Sequence, residues 1–184
     1  MYWVLIRLGD GHIWLSEQHR LMKYSQLDRI TSLEPGKQIT AERTLRAEEE
    51  YLKDHFPLFP VMPGVMMLEA LQQAAAWLLH IGDAFEYPVV LLREAKGVKF
   101  GDFLAPGETL EISATIVKDD GHQATVKATA SKKGRVTVSA RLVMERHRSN
   151  DPEWLGTDER VTSLTKKLFR EKFGEPDSIP STLA

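Results

Sequence analysis

The sequence predicts an α+β fold in which an antiparallel sheet of about six strands wraps around one long central helix. Residues 65–81 contain no proline or glycine and are rich in Ala, Leu and Met, which favour a helix about 25 Å long. Residues 109–117, 123–131 and 135–144 instead alternate apolar and polar side chains, a pattern typical of half-buried strands. A sheet with one apolar face can cover that helix and keep its other face in water.

Three further strands are predicted from shorter apolar patterns, two before the helix and one after it: residues 24–34, 38–46 and 88–99. Glycines between the strands supply the left-handed backbone that tight turns need. An acidic run from Glu48 to Glu50 lies in a short helical turn ahead of the long helix. It is expected to form a solvated face, as most charge runs do.

Residues 24–145 are predicted to form one domain between two extensions. No secretion signal is expected in the N-terminal extension, residues 1–23, because its apolar run is short and has no basic start. Residues 146–184 are predicted to begin as a polar linker and to continue as an amphipathic helix over 158–173, and the last ten residues are expected to be loose. One sheet cannot surround a helix completely. The uncovered helix side and the sheet edges therefore predict a homodimer, alone or within a trimer of dimers.

Composition and charge exclude several classes of function. The formal net charge of −2 provides no basic field for nucleic acid. Because cysteine is absent, thiol nucleophiles and disulfides are excluded, and this composition suits a reducing cytoplasm. Glu69, Gln72 and Gln73 interrupt the apolar helix, so no membrane span is expected. Five histidines show no metal-ligand spacing and are expected to be at the surface or incidental: His12, His19, His80, His122 and His147. Neither a metal nor a cofactor is predicted.

A proline-punctuated loop runs straight into the long helix and carries the candidate chemistry. His55 lies in this loop, and Glu69 lies in the second turn of the helix. Burial of a carboxyl in an apolar helix is expected to raise its pKa, whereas histidine titrates near neutrality, so the two form a candidate acid–base site. Backbone N–H groups at the helix start, near Gly64, can stabilise a developing negative charge.

Three pieces of this stretch together resemble the signature of the 3-hydroxyacyl-[acyl-carrier-protein] dehydratases of the FabZ/FabA type: His55-Phe56-Pro57, Pro63-Gly64-Val65 and Glu69-Ala70-Leu71-Gln72-Gln73. The similarity covers residues 24–145. It implies the hotdog fold, with a sheet wrapped around a central helix and an active site that lies across a dimer. The implied reaction removes water from a 3-hydroxyacyl thioester of acyl carrier protein, or of coenzyme A, and gives a trans-2-enoyl thioester.

The resemblance also implies a role for each of these residues. His55 would remove the proton from C2, Glu69 would protonate the leaving hydroxyl, and the N–H of Gly64 would stabilise the thioester oxygen. Gln73 would hold a catalytic water or simply bond to backbone. The family often has glycine where this chain has Leu58, and a leucine is strained there if the position requires a positive φ. Four apolar residues would line the acyl tunnel or belong to the plain core: Leu58, Phe59, Met66 and Phe100.

The sequence is also compatible with structural roles for these residues and with two other functions. His55 and Glu69 are also compatible with purely structural roles, and Gly64 with a simple helix start. A hotdog thioesterase would use the carboxylate to activate water, and a catalytically silent hotdog protein would only bind the acyl chain. An acidic carrier protein would require a basic patch, for which composition offers six candidates: Arg93, Lys96, Lys99, Lys132, Lys133 and Arg135.

Overall fold

The computed structural model describes residues 24–148 and 155–181. It confirms the predicted architecture, because six antiparallel strands form one sheet in the order β1-β2-β4-β5-β6-β3. The strands are β1 (Arg29–Glu34), β2 (Gln38–Thr44), β3 (Val89–Phe100), β4 (Thr109–Asp119), β5 (Gln123–Lys132) and β6 (Arg135–His147). The helices are α1 (Gly64–Gly82) and α2 (Leu155–Phe173), with short 3-10 turns at Glu50–Lys53 and Pro176–Ser178. The predicted extension over residues 1–23 lies outside the described residues.

A row of alanines across the middle of the sheet makes room for α1. Ala114 of β4 pairs with Ala128 of β5, which in turn pairs with Ala140 of β6. All three side chains are buried, as are Ala74 and Ala75 on α1, and all five belong to one core cluster. Small side chains on both surfaces allow a helix to lie close to a sheet without voids. The long helix is therefore packed along the alanine-lined face of the sheet.

The side of α1 that faces away from the sheet is covered by the chain's own C-terminal helix. Phe169 of α2 is fully buried, and its ring lies 5.3 Å from Trp77 of α1 and 6.0 Å from Phe85. Phe173 lies 5.4 Å from Phe169 and 6.1 Å from Trp77. We expected a second copy of the chain to close this side of the core. That expectation is wrong for the part of α1 around Trp77, because α2 packs there.

The segment after α2 is ordered against the sheet, so the prediction that the last residues are loose is wrong for those described. The backbone N–H of Leu33 in the edge strand β1 donates to the carbonyl of Pro180 at 2.9 Å. The 3-10 turn Pro176–Ser178 brings the chain to this edge. Strand β3 forms the opposite edge and pairs only with β6. Within the described residues, β3 is therefore the sheet edge on which no further segment is paired.

The strand limits differ most from the sequence-based prediction in β1 and β6. Strand β1 begins at Arg29 rather than at residue 24. Strand β6 continues through Arg146, which we had assigned to a polar linker. Arg146 is buried and bonds Asp83 at the end of α1 at 2.5 Å and Asp119 at the end of β4 at 2.8 Å. A guanidinium that satisfies two carboxylates in this way ties the end of the helix to the sheet.

His80 is a buried core residue rather than a surface histidine. Its side chain lies near the C-terminus of α1, with the ring stacked on Phe85 at 6.0 Å and 5.8 Å from Trp77. Burial lowers the pKa of His80 to about 4, because the charged ring would lose its hydration. His80 is therefore neutral in the folded protein at pH 7.

We expect His80 to make stability depend on pH. Below the unfolded-state pKa of about 6.5, the unfolded chain binds a proton that the folded chain does not, so stability falls as the pH falls towards 4, by about 3 kcal/mol in all. Chemical unfolding at pH 7 and pH 4.5 should show a smaller loss for His80→Leu than for wild type. Carboxylates titrate in both proteins, so their contribution to the loss of stability cancels when the two proteins are compared. Parallel pH curves for the two proteins would contradict the prediction.

Within residues 24–148 and 155–181, neither α1 nor α2 has the length and apolarity required to cross a lipid bilayer.

Candidate active site

His55 is held by two backbone contacts at the start of the loop that leads into α1. Its N–H donates to the carbonyl of Tyr51 at 3.0 Å, and its Nδ1 lies 2.9 Å from the carbonyl oxygen of Val61. A carbonyl oxygen can only accept, so Nδ1 carries the proton. In the neutral ring this leaves the lone pair on Nε2, and the half-buried His55 therefore presents Nε2 as a proton acceptor.

The strain in this loop falls on Phe56 and not on Leu58. Phe56 has a φ of 59°, in the left-handed region that is costly for residues other than glycine. Leu58 is not among the residues with positive φ, and its side chain is fully exposed. The leucine therefore causes no backbone strain at its position. The rings of His55 and Phe56 lie 4.5 Å apart, so the strained residue directly contacts the candidate base.

Glu69 is oriented by Gln73, which lies one turn further along α1. Nε2 of Gln73 donates to Oε1 of the half-buried Glu69 at 2.8 Å. The same nitrogen donates to the carbonyl of Tyr24 at 3.1 Å, and Oε1 of Gln73 accepts from the N–H of Gln26 at 2.8 Å. Gln73 thus bonds to backbone, which was one of its two expected roles. Because both ends of its amide are satisfied, the orientation of the amide towards Glu69 is determined.

The N-terminus of α1 has backbone donors that no described side chain caps. The helix begins at Gly64 after Pro63, and no side-chain hydrogen bond from residues 24–148 or 155–181 caps this end. The first N–H groups of a helix lack intrahelical partners and carry a partial positive charge. The ring of Phe100 packs over Gly64, since a Cβ atom built on Gly64 would lie 2.9 Å from its Cε1. Glycine at this position therefore permits the close packing of Phe100 on the helix start.

Exposed apolar side chains from the loop, the helix start and the end of β3 are found beside these residues: Phe56, Leu58, Phe59, Val65, Phe100 and Phe103. Phe59 and Phe103 contact edge to face, with ring centroids 6.0 Å apart. Among the four tunnel candidates, Met66 packs against the core, whereas the other three are on this exposed surface. Exposed apolar surface of this kind marks a binding or association surface.

An ion pair that the sequence did not predict joins β2 to the turn ahead of His55. Glu49, expected in a solvated face, pairs instead with the buried Arg43 of β2 and accepts from the hydroxyl of Tyr51. The prediction of a solvated acidic run is therefore wrong for Glu49. A signal was present, because Ile39, Ala41 and Arg43 alternate along β2, Leu45 continues the alternation directly after it, and all four are buried. A cation at the inward position of an apolar alternation requires a buried acidic partner.

No three histidine or acidic side chains converge to hold a metal ion in the part of the chain that the structure describes. The chemistry that the geometry offers is proton transfer. His55 Nε2 can accept a proton, the Glu69 carboxyl can exchange one, and the start of α1 can stabilise a negative oxygen.

Comparison with known proteins identifies similar sequences and a similar fold. A family profile described as a FabA-like domain matches residues 18–145. The 3-hydroxyacyl-[acyl-carrier-protein] dehydratase FabZ of Levilactobacillus brevis is 38% identical over 116 residues, which are 63% of this chain and 78% of that protein. FabZ of Listeria monocytogenes is 33% identical over 117 residues, which are 64% of this chain and 81% of the Listeria protein. The dehydratase heterocomplex ApeI:P from Xenorhabdus doucetiae superposes with a TM-score of 0.58 at 16% identity, covering 72% of this chain and 90% of that chain.

Proposed function

Because the chain belongs to the family of FabA-like domains and has the hotdog fold, we propose that it is a 3-hydroxyacyl-[acyl-carrier-protein] dehydratase of fatty-acid biosynthesis. The reaction eliminates water from a (3R)-hydroxyacyl thioester and gives a trans-2-enoyl thioester. One observation carries the assignment of the site. His55 and Glu69 are each oriented by a hydrogen bond, to Val61 and to Gln73, and the start of α1 lies between them in the sequence.

The first step is removal of a proton from C2 of the substrate. Nε2 of His55 is the base, since its Nδ1 proton is held by the Val61 carbonyl. As the C2–H bond breaks, negative charge develops on the thioester oxygen. The N–H of Gly64 and the positive end of α1 stabilise that charge, and Phe100 excludes water from the same position.

The second step expels the hydroxyl group from C3. Glu69 delivers the proton, the C3–O bond breaks, the C2–C3 double bond forms and water leaves. His55 then holds one more proton and Glu69 one fewer, so a proton must pass between them before the next turnover. Gln73 keeps the carboxyl of Glu69 oriented throughout, since its amide is anchored to backbone at both ends.

We place the complete active site between two copies of the chain. The edge of β3 on which no described segment is paired offers backbone groups to a second β3 strand, and the exposed apolar side chains around Leu58 and Phe59 require a cover. The opposite edge is occupied by the chain's own Pro180. In this homodimer His55 of one copy and Glu69 of the other form each site.

The carrier protein is proposed to dock beside β3. Among the six basic candidates, Arg93, Lys96 and Lys132 already pair with carboxylates at 2.7, 3.0 and 2.8 Å. Lys99 immediately precedes Phe100, whose ring covers Gly64, and its exposed side chain leaves the end of β3 on the opposite face of the strand. A carrier protein with an acidic surface would meet Lys99 at that point. We place the protein in the cytoplasm, in accord with its lack of cysteine.

A single assay tests the function. We expect wild type to convert a (3R)-hydroxyacyl carrier-protein thioester into a product with enoyl-thioester absorbance, without release of free thiol. A thioesterase would instead release thiol from the same substrate, so both signals are followed in one cuvette. Thiol release without enoyl absorbance would contradict the dehydratase assignment. A folded protein that bound acyl chains without turnover at any chain length would also contradict it.

A further inference from the structure

Arg43 is a buried cation that the proposed chemistry does not use. Its side chain is 4% exposed on the inward face of β2. It pairs with Glu49, lies 3.4 Å from Asp28, and donates to the carbonyl of Thr44 at 3.1 Å. Burying a guanidinium is costly even when it is paired. A charge at this position therefore suggests a role other than filling the core.

A chain of hydrogen bonds leads from Arg43 to Glu69. Nε of Arg43 lies 3.4 Å from Oε1 of Gln26, a residue that is 2% exposed. The N–H of Gln26 donates to Gln73, and Gln73 donates to the carboxylate of Glu69, both at 2.8 Å. The orientation of Glu69 thus depends on the segment that Arg43 holds against α1.

A second chain leads from Arg43 to His55. Arg43 pairs with Glu49, and the other carboxylate oxygen of Glu49 accepts from the hydroxyl of Tyr51 at 2.7 Å. Burial, together with the Glu49 carboxylate, raises the pKa of Tyr51, so the phenol keeps its proton and remains a donor. The carbonyl of Tyr51 accepts the N–H of His55 at 3.0 Å. The backbone of His55 is therefore fixed by a turn that Arg43 anchors.

We propose that Arg43 is a positioning residue that holds both proton-transferring groups of the chain, His55 through Glu49 and Tyr51, and Glu69 through Gln26 and Gln73. The inference rests on the proposed dehydratase function. Proton transfer is steeply sensitive to geometry, and a misplacement of about 1 Å costs about a hundredfold in rate. Loss of Arg43 therefore lowers the rate of the chemical step without altering substrate affinity.

The test compares variants along the second chain with a matched arginine elsewhere. Tyr51→Phe removes only the hydroxyl that holds Glu49, and we expect kcat per folded molecule to fall about tenfold with KM unchanged. Arg43→Gln should lower kcat about a hundredfold, and Arg43→Lys should recover part of that loss, because it restores the charge without the planar fork. Arg29→Gln is the control, since Arg29 also pairs with a glutamate, Glu42, but on the exposed surface.

Hydrogen exchange at His55 provides a second test that does not depend on enzyme activity. The ring proton on Nδ1 of His55, bonded to Val61, is followed by 1H–15N NMR. Its exchange with water should accelerate in Tyr51→Phe and Arg43→Gln and stay as in wild type in Arg29→Gln. If Arg43→Gln fails to fold, the exchange rate and the kcat of Tyr51→Phe test the link from Arg43 to His55.

The outcomes separate this proposal from the proposed function. A wild type without dehydratase activity refutes the function, and accelerated His55 exchange in Tyr51→Phe would then still support the link from Arg43 to His55. An active wild type with normal kcat per folded molecule and normal His55 exchange in both network variants would overturn the positioning role. So would a loss explained entirely by a lower folded fraction, since that is the behaviour of a purely structural ion pair.

Discussion

A mixture of two inactive variants, His55→Ala and Glu69→Gln, is expected to regain about a quarter of the wild-type activity. Each variant alone loses a proton-transferring group, and its activity should fall by about 10²- to 10⁴-fold. If each site takes His55 from one copy and Glu69 from the other, a mixed dimer contains one site with both residues intact and one with neither. Random association makes half of the dimers mixed, and half of the sites in those dimers are active.

The experiment requires subunit exchange and matched controls. The two variants are unfolded and refolded together, and native mass spectrometry measures the fraction of mixed dimers. His122→Ala and Glu111→Gln replace exposed residues of the same types and should retain wild-type activity. Mixed dimers that form without activity would show that each site lies within one copy of the chain. Full activity in either single variant would remove that residue from the catalytic step.

Replacing Phe169 with alanine is expected to cost about 3–5 kcal/mol of unfolding free energy. Phe169 is fully buried and connects α2 to Trp77 and Phe85, with ring centroids 5.3 and 6.0 Å away. The truncation leaves a cavity between α1 and α2 that neighbouring rings can fill only in part. Equilibrium unfolding in urea measures the loss, and the tryptophan fluorescence, to which Trp77 contributes, should shift to the red as water reaches its indole.

Val117→Ala is the control, because this residue of β4 is exposed and does not belong to the core cluster, so its replacement should change stability by less than about 0.5 kcal/mol. A loss below about 1 kcal/mol for Phe169→Ala, with unchanged fluorescence, would show that α2 does not pack on α1. The result matters for the fold because α2 lies outside residues 18–145, which match the family.

The sequence by itself determined most of the secondary structure, and it supplied the candidate residues that we propose for the site. Side-chain alternation over 123–131 predicted β5, which the structure gives as Gln123–Lys132, and an unbroken apolar run over 65–81 predicted α1, Gly64–Gly82. Glycines 121 and 134 have positive φ at the predicted hairpin turns. These features are local, since periodicity and turn chemistry act between residues that are neighbours along the chain.

Only the tertiary structure decided which distant groups meet. The prediction for Glu49 failed because a charge run looks the same in sequence whether water or a buried Arg43 faces it. Gln73 bonds to Gln26, 47 residues earlier in the chain, and this partner is set by the packing of α1 against the segment before β1. The covering of Trp77 by α2 was missed for the same reason. Burial and hydrogen-bond pairing depend on how elements pack together, and no local pattern records that packing.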